Sequence, residues 1–355
     1  MENTRKEKEP IKNTYRFDKY YNKKEKKDGL HNLGCTCYIN SFLQILIHVP
    51  GLIDELNSHK NNIHKDSLLY SLLNIAEQPS KENLLCLNKK VIKIFPNYKN
   101  YKQEDSQEFG TELLKVLNDE LSSLNNYIDS WNIEDEFKLK NNYDNISKIK
   151  IDKLNDLMKK EDYNFKFQTI INYFFFYYET ILIICDKKLI NFSYYGDVDN
   201  QLAFNRNFNN KDYLNIIDML DKKYLYGKNK FIKLPIVFNI TLLRGIIGEQ
   251  LIKTRVSIKK EIDLKEYIDK DFGEYSSSTE YTLYALNVCF GSNKKYGHYY
   301  SYILINEEWY KFDDLNVEKV EQEIIDNDLS YIYGIYYIKK KHLKPFLLVN
   351  NDDNK

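Results

Sequence analysis

The stretch "KKYGHYYSYILINEEWYKFDD", Lys294 to Asp314, sets two aromatic, β-branched runs on either side of a short turn around Asn306–Glu308. Runs of this composition bounded by turn residues read as strands, and a connection this short makes them antiparallel neighbours. Pairing them brings the end of "FDD" beside the start of "HYYSY" and places Asp313 or Asp314 next to His298. A carboxylate there can fix the imidazole tautomer, as a base in nucleophilic catalysis requires. His31, His48, His59, His64 and His342 stand in helical or loop contexts without such a pattern and read as surface or packing residues.

A base calls for a nucleophile, and "GLHNLGCTCYINSFLQILIHVPG", Gly29 to Gly51, holds two cysteines at the mouth of an apolar run. Buried free cysteine is usually core. Zinc held by His31, Cys35, Cys37 and His48 fits by residue type, but C-x-C without a second cysteine pair matches zinc modules poorly. A cysteine phosphatase needs Arg six residues after its nucleophile, and those positions are Ser41 and Leu43. The fourth reading is a thiol at a helix N-terminus, where unpaired N–H groups and the helix dipole favour thiolate.

The 355 residues suffice for one large domain with insertions or for two ordinary ones. Lys and Arg total 52, as do Asp and Glu, so net charge points to neither nucleic acid nor an anionic membrane as partner. Five cysteines, Cys35, Cys37, Cys86, Cys185 and Cys289, form no disulfide framework and suit a reducing, cytoplasmic or nuclear setting. The charged start shows no signal peptide, and Glu2 and the ending "NNDDNK" offer no lipidation site. "INYFFFYYETILIIC", Ile171 to Cys185, is shorter than the ~20 residues of a membrane helix and reads as one or two buried strands.

Residues 1–28 read as a disordered charged arm, and 141–162 as a poorly packed insertion or linker. From Leu30 to about Leu121 the periodicity is helical. Thr36 is a candidate N-cap before "YINSFLQILIHV", Pro50 closes that helix, and Phe109, Leu113, Leu114, Leu117 and Leu121 share one face of a later one. Afterwards come short aromatic strands, such as "KLPIVFNITLL" and "YTLYALNVCF". Helices first and strands afterwards indicate α+β.

"GLHNLGCTCYINSFLQ" resembles the cysteine box of the ubiquitin-specific proteases, a family of papain-like cysteine deubiquitinases. "QEDSQEF", Gln103 to Phe109, is similar to that family's second helix motif, and "YTLYALNVCFGSNKKYGHYYSYILINEEWYKFDD" to its histidine box. The three stand in family order, with "KLPIVFNITLLRG" and "KEIDLKEY" as weaker landmarks, from about Gly29 to Val320. The resemblance implies an α+β papain-like fold with helical thumb, β palm and inserted β fingers. The catalytic domain would occupy 29–340, with the thumb at about 29–140, fingers and palm at about 160–340, and 341–355 as a C-terminal tail. His298 lies 261 residues after Cys37, against roughly 130–150 in compact papain-like enzymes, so the excess fits an inserted subdomain.

By the same resemblance Cys37 is the nucleophile, His298 the base, Asp313 the third triad member with Asp314 as helper, and Asn32 a side-chain donor of the oxyanion hole. Cys35 falls where the family usually has Asn and is expected to pack. Asp105, Glu108 and Gln103 match the motif that holds the ubiquitin tail, and Tyr299 a residue beside its last glycines. Asp105 also reads as a helix N-cap, with Glu108 completing a capping box. The implied partners are ubiquitin and ubiquitinated proteins. Three departures stand out. The fingers lack the two C-x-x-C knuckles of a zinc site, since Cys185 is followed by Lys188 and "YLYGKNKFIKLP" has no pair, so no metal or cofactor is expected. Cys289 stands where another His is common, and "LLRG" replaces a basic-aromatic strand ending.

Overall fold

The computed structural model describes residues 28–100, 102–123, 176–186, 189–199, 202–204, 213–221, 229–242, 244, 246–247, 250–251, 253–268, 279–291 and 297–343. The arm before residue 28, the insertion at 141–162, the opening of the Ile171 run and the tail beyond 343 lie outside the described residues.

The first half is helical: α1 (Cys37–Ile47), α2 (Leu52–Ser58), α3 (Leu68–Glu77), α4 (Lys81–Ile94) and α5 (Ser106–Ser123). Helices α3 and α4 each start where a serine side chain satisfies an unpaired N–H group. Ser67 Oγ accepts from Tyr70 N at 3.0 Å, and Ser80 Oγ accepts from Asn83 N at 3.2 Å. The α5 carboxylate of Glu120 adds two bonds at the start of α3, from Leu68 N (2.9 Å) and Leu69 N (2.8 Å), and so joins a packing contact to a dipole interaction. The expected stripe on α5, Phe109, Leu113, Leu114, Leu117 and Leu121, is fully buried.

Thr36 corrects one expectation. It occupies the N-cap position of α1, and its carbonyl accepts from Ile39 N and Asn40 N, each at 3.0 Å. Its hydroxyl makes no capping bond. Oγ1 instead accepts from Leu33 N at 2.8 Å and donates to Asn32 Oδ1 at 3.3 Å. The loop before the helix takes the hydroxyl that spacing assigned to the helix.

The strands are β1 (Phe176–Asp186), β2 (Leu189–Asp199), β3 (Leu202–Phe204), β4 (Tyr213–Asn215), β5 (Asn229–Lys233), β6 (Val237–Leu242), β7 (Ile246–Ile247), β8 (Gln250–Leu251), β9 (Arg255–Ser257), β10 (Glu261–Asp263), β11 (Glu280–Phe290), β12 (His298–Ile305), β13 (Glu308–Asp313), β14 (Asn316–Val320) and β15 (Ile332–Lys339). Short helices α6 (Ile216–Leu220), α7 (Gln322–Asn327) and α8 (Lys340–Leu343) intervene or follow. The main sheet runs β14-β13-β12-β11-β15-β6-β3, with β10 also on β11, and it is antiparallel except for β3 beside β6. A separate sheet orders β2-β1-β5, so the Ile171 run does enter a strand, from Phe176 onward. No helix among the described residues is long and apolar enough to cross a membrane.

The main sheet is covered on both faces, which is why its central strands are nearly continuous in apolar residues rather than alternating. Tyr284, Tyr299, Ile303 and Tyr336 join the core beneath α1, α3, α4 and α5. Tyr281, Leu286, Tyr302 and Tyr337 face a second core with α6 and Tyr267. A polar seam runs through the first interface. Gln107 Oε1 accepts from Asn239 Nδ2 (3.1 Å) and Thr241 Oγ1 (3.2 Å), and Gln107 Nε2 donates to Tyr336 Oη at 2.7 Å. Asn287 Nδ2 donates to Ser41 and Ser106. Side-chain bonds across the interface fix one register between helices and sheet, although Asn239 Oδ1 and Asn287 Oδ1 are buried with no partner among the described residues.

The α1–α5 contact is close enough to forbid a methyl group. A Cβ on Gly110 would lie 2.3 Å from the Phe42 ring. Gly to Ala within a helix ordinarily gains about 1 kcal/mol, but overpacking a core costs about 1–3 kcal/mol. Gly110→Ala therefore lowers the denaturant midpoint, and Phe42→Leu in the same chain restores part of it. A raised midpoint in Gly110→Ala would show that the helices are not packed this tightly.

Candidate active site

The site is assembled from one helix start and one hairpin. β12 and β13 pair with Ile305 opposite Glu308, leaving a two-residue turn of Asn306 and Glu307 with φ of 52° and 65°. Two positive φ values match the twist of the strands. Asn takes this conformation readily, and Glu takes it at some strain. The register then sets Asp313, at the end of β13, beside His298, at the start of β12. His298 Nε2 donates to Asp313 Oδ1 at 2.5 Å. Of the two carboxylates that pairing left open, Asp313 is the one bonded to the imidazole.

Cys37 is the first residue of α1, and α1 packs on β11, β12 and β13. Its thiol is near enough to His298 to raise the imidazole pKa. With Nε2 committed to Asp313, Nδ1 is the nitrogen left for sulfur. The Asp313 bond, then the Cys37 thiol, push the His298 pKa up to about 10 against the opposing effect of burial. The same bond lowers the Asp313 pKa. The imidazole is therefore charged at neutral pH, the state that stabilises a neighbouring thiolate.

The loop before α1 is wound around Asn32. Gly34 and Cys35 have φ of 97° and 51°, which turns successive N–H groups inward. Asn32 Oδ1 fills that concavity, accepting from Gly34 N (2.9 Å) and Thr36 N (3.2 Å). The amide nitrogen must then face outward. It donates one hydrogen to Asp314 Oδ2 at 2.9 Å, and an amide has a second to offer. Beside it the Cys37 N–H belongs to the first helical turn, which has no intrahelical acceptor. Asp314 Oδ1 accepts from Asn40 Nδ2 at 2.7 Å, and its carbonyl accepts from Leu30 N at 2.8 Å.

Cys35 corrects the expectation that it packs: it is exposed. The reason is its left-handed φ of 51°, which puts it at a turn. Asn adopts that region more easily than Cys, in keeping with the Asn usual there in the resembling family.

The second helix motif opens α5. Asp105 caps α5, its Oδ1 accepting from Gln107 N (2.9 Å) and Glu108 N (3.2 Å). Its Oδ2 accepts from the Tyr333 hydroxyl on β15. Glu108 is exposed on the first turn. Gln103 Nε2 is a buried donor with no acceptor among the described residues. Tyr299 is only 2% exposed. It lies against Tyr333 with ring centroids 6.2 Å apart, so it supports the Asp105 contact from below.

His48 is buried against Phe312 at 4.8 Å, with burial pulling its pKa down to about 4, and His342 bonds the Pro50 carbonyl at 3.1 Å. Both are packing residues. Cys289 is buried opposite Tyr299. Arg244, from the unusual "LLRG", is buried and donates to Ile332 O (2.7 Å), Thr254 O (2.8 Å) and Leu329 O (3.3 Å). It ties the end of β6 to the start of β15. Among the described residues, His298, Asp313 and Asp314 offer ligand atoms within 4.8 Å of one another, but the bonds above already occupy these carboxylates.

Sequence reasoning did not single out Asn40, Tyr333 or Gln107, each of which holds a site residue or its helix in place. Only Gln107 carried a signal, as a polar residue inside the apolar stripe of α5. Because both oxygens of Asp105 are engaged, Asp105→Ala lowers stability by about 1–2 kcal/mol, the cost of a lost cap. Glu108→Ala, at an exposed position, costs less than about 0.5 kcal/mol. Thermal melts of the two variants check the order. Equal losses would mean that capping is not what Asp105 does here.

A family model described as "Ubiquitin carboxyl-terminal hydrolase" matches residues 28–336. The chain is 25% identical over 336 residues to "Ubiquitin carboxyl-terminal hydrolase 20" of Arabidopsis thaliana, covering 88% of this chain and 43% of that one. It is 26% identical over 326 residues to "Ubiquitin C-terminal hydrolase 13" of the same plant, covering 86% and 26%. The chain thus spans less than half the length of either relative. Among solved structures, one titled "Structure of the SAGA Ubp8/Sgf11/Sus1/Sgf73 DUB module bound to ubiquitin aldehyde" aligns with a TM-score of 0.62 at 20% identity, covering 88% of this chain and 69% of that one. At that identity the likeness speaks for the fold, which is the α+β architecture of helices against an antiparallel sheet. The chain belongs to the ubiquitin carboxyl-terminal hydrolase family, among its ubiquitin-specific proteases.

Proposed function

We propose that the chain is a thiol-dependent deubiquitinase that hydrolyses the isopeptide or peptide bond after the C-terminal glycine of ubiquitin. One observation carries the reading: His298 bonds Asp313 Oδ1 at 2.5 Å on one side, and on the other it is near enough to the Cys37 thiol, at a helix N-terminus, for that thiol to raise its pKa. Cys37 thiolate attacks the glycyl carbonyl, forming the C–S bond. Negative charge collects on the carbonyl oxygen, where the second Asn32 Nδ2 hydrogen and the Cys37 N–H are the donors on offer. One such donor is typically worth ~10²–10³ in rate. Collapse breaks the C–N bond as the His298 imidazolium hands its proton to the lysine amine. Water then gives a proton to His298, attacks the thioester and releases the thiol. Asp313 holds the ring and balances its charge throughout.

For the substrate, an extended tail fits beside the start of α5, where Gln103 and Glu108 stand. A peptide carbonyl would satisfy Gln103 Nε2, and leaving such a buried donor unpaired costs about 1–3 kcal/mol. Glu108 is the exposed carboxylate for a tail arginine, while Asp105 shapes the floor through its cap and Tyr333.

The test is a panel of ubiquitin and ubiquitin-like proteins bearing a C-terminal electrophile. Ubiquitin forms a covalent adduct at Cys37. Cys37→Ala forms none while still capturing ubiquitin, and Cys35→Asn, which suits the left-handed turn, still reacts. An adduct only with another modifier would change the substrate. Binding without an adduct would make the chain a ubiquitin-binding scaffold.

A further inference from the structure

The hairpin that carries His298 and Asp313 carries a cation that the hydrolytic steps above do not use. Lys311 lies two residues before Asp313 on β13, so both side chains leave the same face of the strand. Its Nζ is 3.4 Å from Asp313 Oδ2, the oxygen that His298 does not take. The ammonium also stands 4.3 Å from the centroid of the Tyr300 ring, on the strand of His298. That ring is itself anchored, because Tyr300 and Tyr302 both donate to Asp328 Oδ2 at 2.6 Å. Burial first, then the Asp328 bond, raise the Tyr300 pKa, so the ring is neutral and presents its π face to the cation. The Lys311 side chain is only 22% exposed. Lysine, carboxylate and imidazole thus form a row held at its far end by an aromatic shelf.

We propose that Lys311 is a positioning residue for the hydrolysis. It holds Asp313 Oδ2 so that Oδ1 stays on His298, and its charge offsets that of the carboxylate. The inference rests on the roles given above to Cys37, His298 and Asp313.

The charges around the ring fix the expected direction. His298 is faced by Asp313 and Lys311 from β13, Asp314 from the following turn, Cys37 from α1 and Tyr300 from its own strand. Glu318 stands opposite Lys311 in the strand register of β13 and β14, and Asp328 lies beyond the two tyrosines. Removing the ammonium makes a proton easier to hold on His298. The alkaline limb of the pH profile of kcat/KM, set by loss of the imidazolium proton, therefore moves to higher pH. With one carboxylate between the two cations in a partly screened site, the movement is ~0.5–1 pH unit.

The experiment measures kcat/KM from pH 5 to pH 11 on a fluorogenic C-terminal amide of ubiquitin, with Lys311→Met, Lys311→Gln and Lys311→Arg beside the full wild-type chain. Met and Gln keep the stem over Tyr300 and lose the charge; they move the alkaline limb up, while Arg restores the wild-type limb. High salt moves the wild-type alkaline limb toward that of the neutral variants, because it screens the same contact. A merely structural lysine would lower kcat/KM at every pH, along with the melting temperature, and leave that limb in place. That result in either folded neutral variant, or a wild-type alkaline limb indifferent to salt, overturns the proposal. A wild-type chain that neither turns over ubiquitin nor reacts at Cys37 would instead overturn the hydrolase reading beneath it.

Discussion

The site depends on one clamp, the fastening of the loop before α1 to the turn between β13 and β14. Asp314 makes it almost alone. Its carbonyl takes Leu30 N, and its two carboxylate oxygens take Asn32 and Asn40, residues separated from it by more than 270 positions in the chain. Gly29 lets the two backbones meet, since a Cβ there would lie 2.4 Å from the Asp314 and Leu315 carbonyl oxygens. Asp314 itself takes a positive φ of 52° to reach them, a conformation that short polar side chains tolerate best. Cys37 follows this loop and Asp313 precedes this turn, so one fastening sets both the thiol and the carboxylate bonded to His298. Phe312 against His48 closes the same joint on its apolar side.

Stability and chemistry are therefore hard to separate here. The seam of Gln107, Asn239, Thr241 and Tyr336 and the glycine contact at Phe42 hold the helices on the sheet. The Asn32 concavity then converts that fixed distance into an oriented amide. Hydrogen bonds link Gly34 N, Asn32, Asp314 and Asn40 in sequence, so the arrangement is set before substrate arrives. Electrostatic preorganisation of this kind is the larger part of what such sites contribute to rate.

Much of this was legible in the sequence because it is periodic or local. The apolar stripe of α5 follows from helical spacing, and the meeting of His298 with an aspartate follows from a short turn between two strands. Choosing Asp313 over Asp314 needed register, which a slip of one residue would reverse. What stayed hidden is long-range or conformational. Nothing in "GCTC" announces that Cys35 must take a left-handed turn, or that the Thr36 hydroxyl serves the loop instead of the helix. No pattern links Asp105 to Tyr333, 228 residues away, or Arg244 to the carbonyls it joins. Partners of that kind are fixed only when the sheet has formed.

The central claim is that this clamp delivers Cys37 to an imidazole already charged by Asp313. Nitrogen-15 NMR of the His298 ring, followed with pH in the unliganded chain, tests it most directly. The account predicts an imidazolium that survives to about pH 10, with an apparent pKa that falls in Asp313→Asn and, by a smaller step, in Cys37→Ala. A ring that titrates near the ordinary value of about 6.5, unmoved by either substitution, would contradict it.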